Sequence, residues 1–149
     1  MAIRFSAVVL LAGWMMATQL GARAEEPPAP AIAVIVGQKS FLTKVSVDEL
    51  RELYLRRRRV WPDGRRVIPI NLPADHPVRE LFSRAVLGRT MRDMVPYWNS
   101  RYFEGITPPA VLQSPAAIRA YLEVEPGAIA YVPLSEVDDT CRTLLVLGR

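Results

Sequence analysis

The side chains able to do chemistry in this sequence are few and scattered. His76 is the only histidine and Cys141 the only cysteine among 149 residues. One of each cannot supply the four nitrogen or sulfur ligands of a structural zinc site, so neither a metal nor another cofactor is expected. A nucleophile–base pair of Cys141 and His76 is formally available, but Asp138 and Asp139 stand just before Cys141. Carboxylates there oppose the low thiol pKa that such chemistry needs. Cys141 cannot form an internal disulfide; it is either a free thiol or, as expected here, a buried small apolar residue. Asp138 and Asp139 have no evident acid–base partner. No glycine-rich phosphate loop of the Walker or dinucleotide type is present. The reading is of a protein that binds and is not an enzyme.

Binding chemistry is better represented. Arg56, Arg57, Arg58 and Arg59 are consecutive, and Arg65 and Arg66 follow a Trp61-Pro62-Asp63-Gly64 turn. Guanidinium forks suit phosphate or carboxylate, so this region is a candidate contact for an anion or an acidic partner. The same run also suits a solvated loop after a helix, where the dipole favours cations. Lys39 and Ser40 follow the first strand, and Asn71 and His76 follow the second. All four are candidate ligand-binding residues because sites in open α/β sheets gather at the carboxyl ends of strands. The loops to inspect are therefore Gly37 to Ser40, Asn71 to His76 and Pro133 to Ser135. The alternatives are an ordinary polar loop for Lys39 and Ser40 and an exposed loop position for His76.

The elements that position these groups follow from local pattern. Ile32 to Val36 is a continuous apolar run, expected as a strand covered on both faces. Ser46 and Glu49 form a capping box opening a helix that carries Leu50, Leu53 and Tyr54 and stops near Leu55. Val67 to Ile70 reads as a short strand, peripheral or irregular because Pro69 lacks a donor. Asp75 is expected to cap the next helix with Pro77 in its first turn. Val78, Leu81, Phe82, Ala85 and Val86 form that helix's apolar stripe, and Gly88 stops it. Thr90 and Asp93 form another capping box; the helix beyond carries Met91, Met94, Val95 and Trp98, with Trp98 expected in the core and a kink at Pro96. Val111-Leu112 is a short strand, Ser114-Pro115 a helix start, and Ala128 to Val132 and Leu144 to Leu147 are strands. Alternating strands and helices predict a mixed, mainly parallel sheet with helices on both faces.

The first 24 residues read as a signal peptide, with Arg4, an apolar stretch from Phe5, and Ala22-Arg23-Ala24 as the cleavage signal. Position 14 is Trp where a lipoprotein would need cysteine. Residues 25–31 are a Pro-rich leader and 32–149 one domain, expected as a periplasmic product that does not span the membrane after cleavage. The pI near 9.6 overstates the basicity of that product, since loss of Arg4 and Arg23 takes the net charge from +4 to +2. No nucleic-acid surface is implied.

Four passages in order carry a resemblance: Val45 to Leu55, Val60-Trp61-Pro62-Asp63-Gly64, Val67 to Asn71 with the helix after it, and Glu125-Pro126-Gly127-Ala128-Ile129-Ala130-Tyr131-Val132. Together they resemble the phosphate-type periplasmic substrate-binding proteins of ABC transporters. The resemblance runs from about Ile32 to Val137 and implies an α/β fold of the type II periplasmic-binding class. It also implies non-covalent capture of phosphate or another small oxyanion, with an ABC transporter as partner. That family has two lobes; this chain has residues for one, and it looks like the second. The family's binding loop carries Arg, Ser, Asp, Gly and Thr, whereas this chain has Asn71-Leu72-Pro73-Ala74-Asp75-His76-Pro77. No phosphate ligand of the family is carried onto it; Asn71 and His76 are its only polar groups able to donate to an anion. The alternative is a ligand-free interaction module that docks on an envelope protein through Arg56 to Arg66.

Overall fold

A computed structural model describes residues 30–148. The expected signal peptide and most of the leader lie outside the described residues. Five strands form one sheet in the order β3-β2-β4-β1-β5. They are β1 (Ile32–Gly37), β2 (Ile68–Asn71), β3 (Ala110–Val111), β4 (Ala128–Pro133) and β5 (Cys141–Leu147). The helices are α1 (Val47–Tyr54), α2 (Pro77–Phe82), α3 (Val95–Phe103) and α4 (Pro115–Val124).

β2 is parallel to β3 and β4, and β1 is antiparallel to both β4 and β5. Four strands therefore point one way and β1 alone is reversed between β4 and β5. The mixed sheet is as expected; its four pairings divide into two parallel and two antiparallel. The reversal of β1 has a functional consequence. Ile32 pairs with Pro133, at the end of β4, while Gly37 pairs with Cys141, at the start of β5. The carboxyl end of β1 thus lies at the opposite end of the sheet from those of β2 and β4.

Every residue of β1 is buried, as its unbroken apolar run requires of a strand covered on both faces. Val34 is paired with Tyr131, so their side chains share a face. Tyr131 meets Phe82 of α2 and Tyr54 of α1 there. The other face receives α4, which packs on β4, β1 and β5. Ala33, Gly37, Ala128 and Ala130 supply that face with small residues, which admit the helix closely.

Local signals set the helix starts. The Ser46–Glu49 box closes in both directions, with Glu49 N–H donating to Ser46 Oγ at 3.2 Å and Ser46 N–H to Glu49 Oε2 at 2.9 Å. Thr90 and Asp93 do the same at 3.3 and 3.1 Å, and Ser114 caps α4. The cap of α2 differs from expectation. His76, not Asp75, is the cap, and its Nδ1 accepts from Val78 N–H at 3.3 Å. The cause is Pro77: the residue before a proline is pushed out of the α region, and His76 sits at φ −73°, ψ 125°. Past Phe82 the helix widens into a π-type turn over Ser83–Leu87 and stops at Gly88, φ 67°.

Three further expectations are corrected. β2 is internal, not peripheral; its ladder with β3 begins at Ile70, one residue beyond Pro69, so the missing donor faces no ladder partner on that side. β5 begins at Cys141, because Gly37 and Val36 extend its pairing beyond the apolar run. Trp98 is half-buried, since α3 buries none of its residues completely and presents Trp98 to a cleft. Cys141 is buried, as expected, and burial pushes its thiol pKa up.

Candidate functional site

β2 ends on Asn71, buried where the chain leaves the sheet. Its side-chain oxygen accepts the Tyr131 hydroxyl at 3.1 Å. Leu72 follows, and its carbonyl accepts from the Arg79 guanidinium in the first turn of α2. Arg79 Nε also reaches Met91 Sδ at 3.2 Å, which draws in the segment held by the Thr90–Asp93 box. The result is a cleft of about 190 Å³ whose lining includes Asn71, Arg79, Phe82, Met91, Met94 and Trp98. Its walls are chiefly apolar, and Arg79 is the one charged group. No carboxylate lies within 4.0 Å of Arg79 among the described residues.

A stacked aromatic wall supports this cleft. Phe82 lies flat on Tyr131, with centroids 3.7 Å apart and planes 5° apart, and Tyr54 tilts against Phe82 at 4.7 Å. The Tyr54 hydroxyl donates to the carbonyls of Ile70 at 3.0 Å and Ile129 at 3.3 Å, bracing the β2–β4 pair. Burial pushes both phenol pKa values above the ordinary tyrosine value near 10, while Arg79 pulls the other way on each. The native state therefore holds both protons beyond the pH at which the unfolded chain releases them. This stabilisation is complete below pH 10 and is lost as pH climbs above it, at up to about 1.4 kcal/mol per pH unit for each tyrosine. Urea titrations between pH 8 and 11.5 should show stability falling steeply above 10, with a shallower fall in Tyr131→Phe. A flat profile to pH 11.5 would contradict this linkage.

The structure divides the residues that sequence pattern nominated. Asn71 lines the cleft. His76 lies nearby in the chain but is engaged as the α2 cap. Lys39 and Ser40 follow the reversed strand and sit at the other end of the sheet, a strand length of about 17 Å away. Ser40 is buried, its Oγ accepting from Leu42 N–H at 3.4 Å and its carbonyl from Arg142. Lys39 is exposed beside a shallow depression shared with Gln38, Glu123 and Thr140. Cys141 pairs with Gly37 at that same far end, so no Cys141–His76 pair forms. No cluster of metal-ligating side chains occurs among the described residues.

The amides at the start of α2 leave little for an anion. His76 N–H donates to Pro73 O at 3.1 Å, Val78 N–H to His76 Nδ1, and Arg79 N–H to His76 O at 2.9 Å, while Pro77 has none. The cation that lines the cleft at this end is Arg79, which the sequence reading passed over. The available signal was a cation in a first turn, where the helix dipole favours carboxylates.

The Arg56–Arg66 region also lies at the far end, by the starts of β2 and β4. Trp61 is buried and its Nε1 donates to Gly127 O at 2.9 Å, fixing the loop to the domain. Phe41 meets Trp61 edge-on at 5.8 Å. Arg57 pairs with Glu52 at 3.0 Å, Arg58 with Glu49 at 3.6 Å and Arg65 with Asp63 at 2.9 Å.

This sheet, covered on both faces and carrying a cleft beyond the ends of β2 and β4, has the fold of one lobe of a periplasmic binding protein. It is similar to an ABC-type phosphate transport receptor from Vibrio cholerae, with a TM-score of 0.63 at 16% identity over 78% of this chain and 47% of that one. It is also similar to a putative phosphate ABC transporter substrate-binding protein with bound phosphate from Clostridium perfringens, with a TM-score of 0.61, 15% identity, and coverage of 78% and 46%. For PstS from Borrelia burgdorferi the values are 0.59, 12%, 77% and 46%. The chain spans about half the length of these structures, and at such identities the likeness is one of fold. No protein-family model matches the chain, and no curated protein matches it. Among the described residues no helix is long and apolar enough to cross a membrane.

Proposed function

We propose that the chain is a periplasmic solute-binding-like protein that captures phosphate or another small oxyanion without catalysis, in the service of ABC-type transport. The observation that carries this reading is Arg79: a guanidinium without a carboxylate partner, facing a cleft at the end of the sheet where ligands of open α/β folds gather. The fold likeness to phosphate receptors supports the ligand class. Recognition here runs through side chains, Arg79 and Asn71, because the α2 amides are already engaged. One lobe covers one side of a ligand, so affinity is modest unless a second copy or a partner closes over it.

Calorimetric titration of the purified protein with inorganic phosphate, at low and moderate salt, tests the reading. Saturable binding that survives moderate salt is expected. Arg79→Gln should weaken it at least about tenfold, the worth of one hydrogen bond to a charged group, with a thermal scan confirming that the variant folds. Absence of saturable heat, or heat that vanishes with salt, would refute solute capture and favour the docking module acting through Arg56 to Arg66.

A further inference from the structure

Arg56 occupies the position that terminates α1. Its N–H donates to Leu53 O at 3.1 Å, and Arg57 N–H donates to Glu52 O at 3.0 Å. These are the paired bonds of a Schellman stop, whose left-handed residue is usually glycine. Arg56 holds φ 58° there, the only positive φ at a non-glycine among the described residues. A side chain in a disfavoured backbone state invites the question of what that side chain does. Nη1 donates to Val67 O at 3.1 Å, while Nε is buried with no hydrogen-bond partner.

Arg56 lines a cleft of about 300 Å³ together with Arg66, Thr107 and the starts of β2 and β3. Pro69, Pro108 and Pro109 in its wall carry no amide hydrogen, and the Val67 and Ile68 amides already donate to Arg59 O and Gly127 O, so the charged donors of this cleft are its arginine side chains. While Arg57, Arg58 and Arg65 have carboxylate partners, none lies within 4.0 Å of Arg56, Arg59 or Arg66 among the described residues. Burial and then the charges of Arg66 and Arg59 hold the Arg56 pKa below its usual value. Arg56 and Arg66 thus share one cleft without a carboxylate partner among the described residues.

We propose that this cleft binds a phosphate-type oxyanion between the forks of Arg56 and Arg66, with Arg59 adding to the positive potential. Two guanidinium groups match such an anion in geometry as well as charge. An anion there removes the repulsion that the neighbouring arginine charges exert on Arg56. The site shares Pro108 with the Asn71–Arg79 cleft but has different cations, Arg56 and Arg66 in place of Arg79.

Arg66 is exposed, so its replacement leaves the core intact. In phosphate-free chloride buffer, Arg66→Gln should raise the melting temperature, because it removes repulsion. The wild-type protein should gain thermal stability when phosphate replaces chloride at matched ionic strength, and Arg66→Gln should lose most of that gain. Phosphate affinity at this site should fall at least about tenfold in Arg66→Gln and in Arg56→Gln and stay unchanged in Arg79→Gln. Binding lost only in Arg79→Gln would overturn this site while leaving the cleft reading intact; binding lost only in the Arg56 and Arg66 variants would do the reverse. Vesicles carrying phosphatidic acid form a second arm. Arg66-dependent binding to vesicles without binding of free phosphate would assign the oxyanion to a lipid headgroup. Arg66-independent behaviour in both arms would overturn the proposal.

Discussion

Gly37→Ala should destabilise the domain by about 3 kcal/mol or more, at the upper end of what overpacking a core costs. A β-carbon at Gly37 would fall within contact distance of the Leu122 carbonyl, 2.7 Å from its carbon and nearer still to its oxygen. The obstacle is backbone in α4, so no rotamer change relieves it. Either α4 lifts from the sheet or β1 shifts out of register with β4 and β5, and β1 is the strand that joins the two. Gly64→Ala is the natural comparison. It has φ 86° with nothing within 4 Å of the added carbon, so its cost is backbone strain alone, about 1–2 kcal/mol. At about 4 °C per kcal/mol for a domain of this size, the first variant should lose more than about 10 °C and the second roughly half that. Equal shifts would mean that α4 does not rest on Gly37 as closely as described.

The same glycine shows where sequence reading reached and where it stopped. Ile32 to Val36 was legible as a strand buried on both faces, because five successive apolar residues leave no polar alternation. The Ser46–Glu49 and Thr90–Asp93 boxes and the Ser114 cap were legible because each closes within three residues. The direction of β1 was not. Strand direction is set by pairing with residues about a hundred positions away, and nothing in the local pattern encodes it. Lys39 and Ser40 were therefore grouped with Asn71 and His76, although the reversed strand carries them to the other end. The choice of His76 over Asp75 was decidable from Pro77, whose steric effect on its predecessor outranks cap preference. Arg79 was hidden because its meaning depends on Leu72, Met91 and the missing carboxylate, none of which periodicity reports. Arg56 was visible as one of four arginines; its left-handed backbone and its unpartnered Nε distinguish it from the rest only in three dimensions.

Phe82→Ala should cost about 3–5 kcal/mol, the range for removing a fully buried aromatic. Phe82 is 1% exposed and sits between Tyr54 and Tyr131, stacked on one and tilted against the other. Neither tyrosine is free to collapse into the space. Tyr54 is tied to Ile70 and Ile129, and Tyr131 to Asn71, so the void persists and the cost belongs in the upper part of that range. The void would also adjoin the Arg79 cleft, since Phe82 forms part of its wall. A small apolar molecule such as benzene should therefore raise the melting temperature of Phe82→Ala more than that of the wild type, because it refills the volume the ring vacated between the two tyrosines. Phe82→Leu keeps most of the volume and should lose far less. Phosphate capture should weaken in Phe82→Ala more than in Phe82→Leu, because the wall that holds Asn71 and the first turn of α2 in register has been removed. If Phe82→Ala melts within about 4 °C of wild type, near 1 kcal/mol for this size, the aromatic stack is not what supports the cleft. The positioning of Arg79 would then rest on its bonds to Leu72 and Met91 alone.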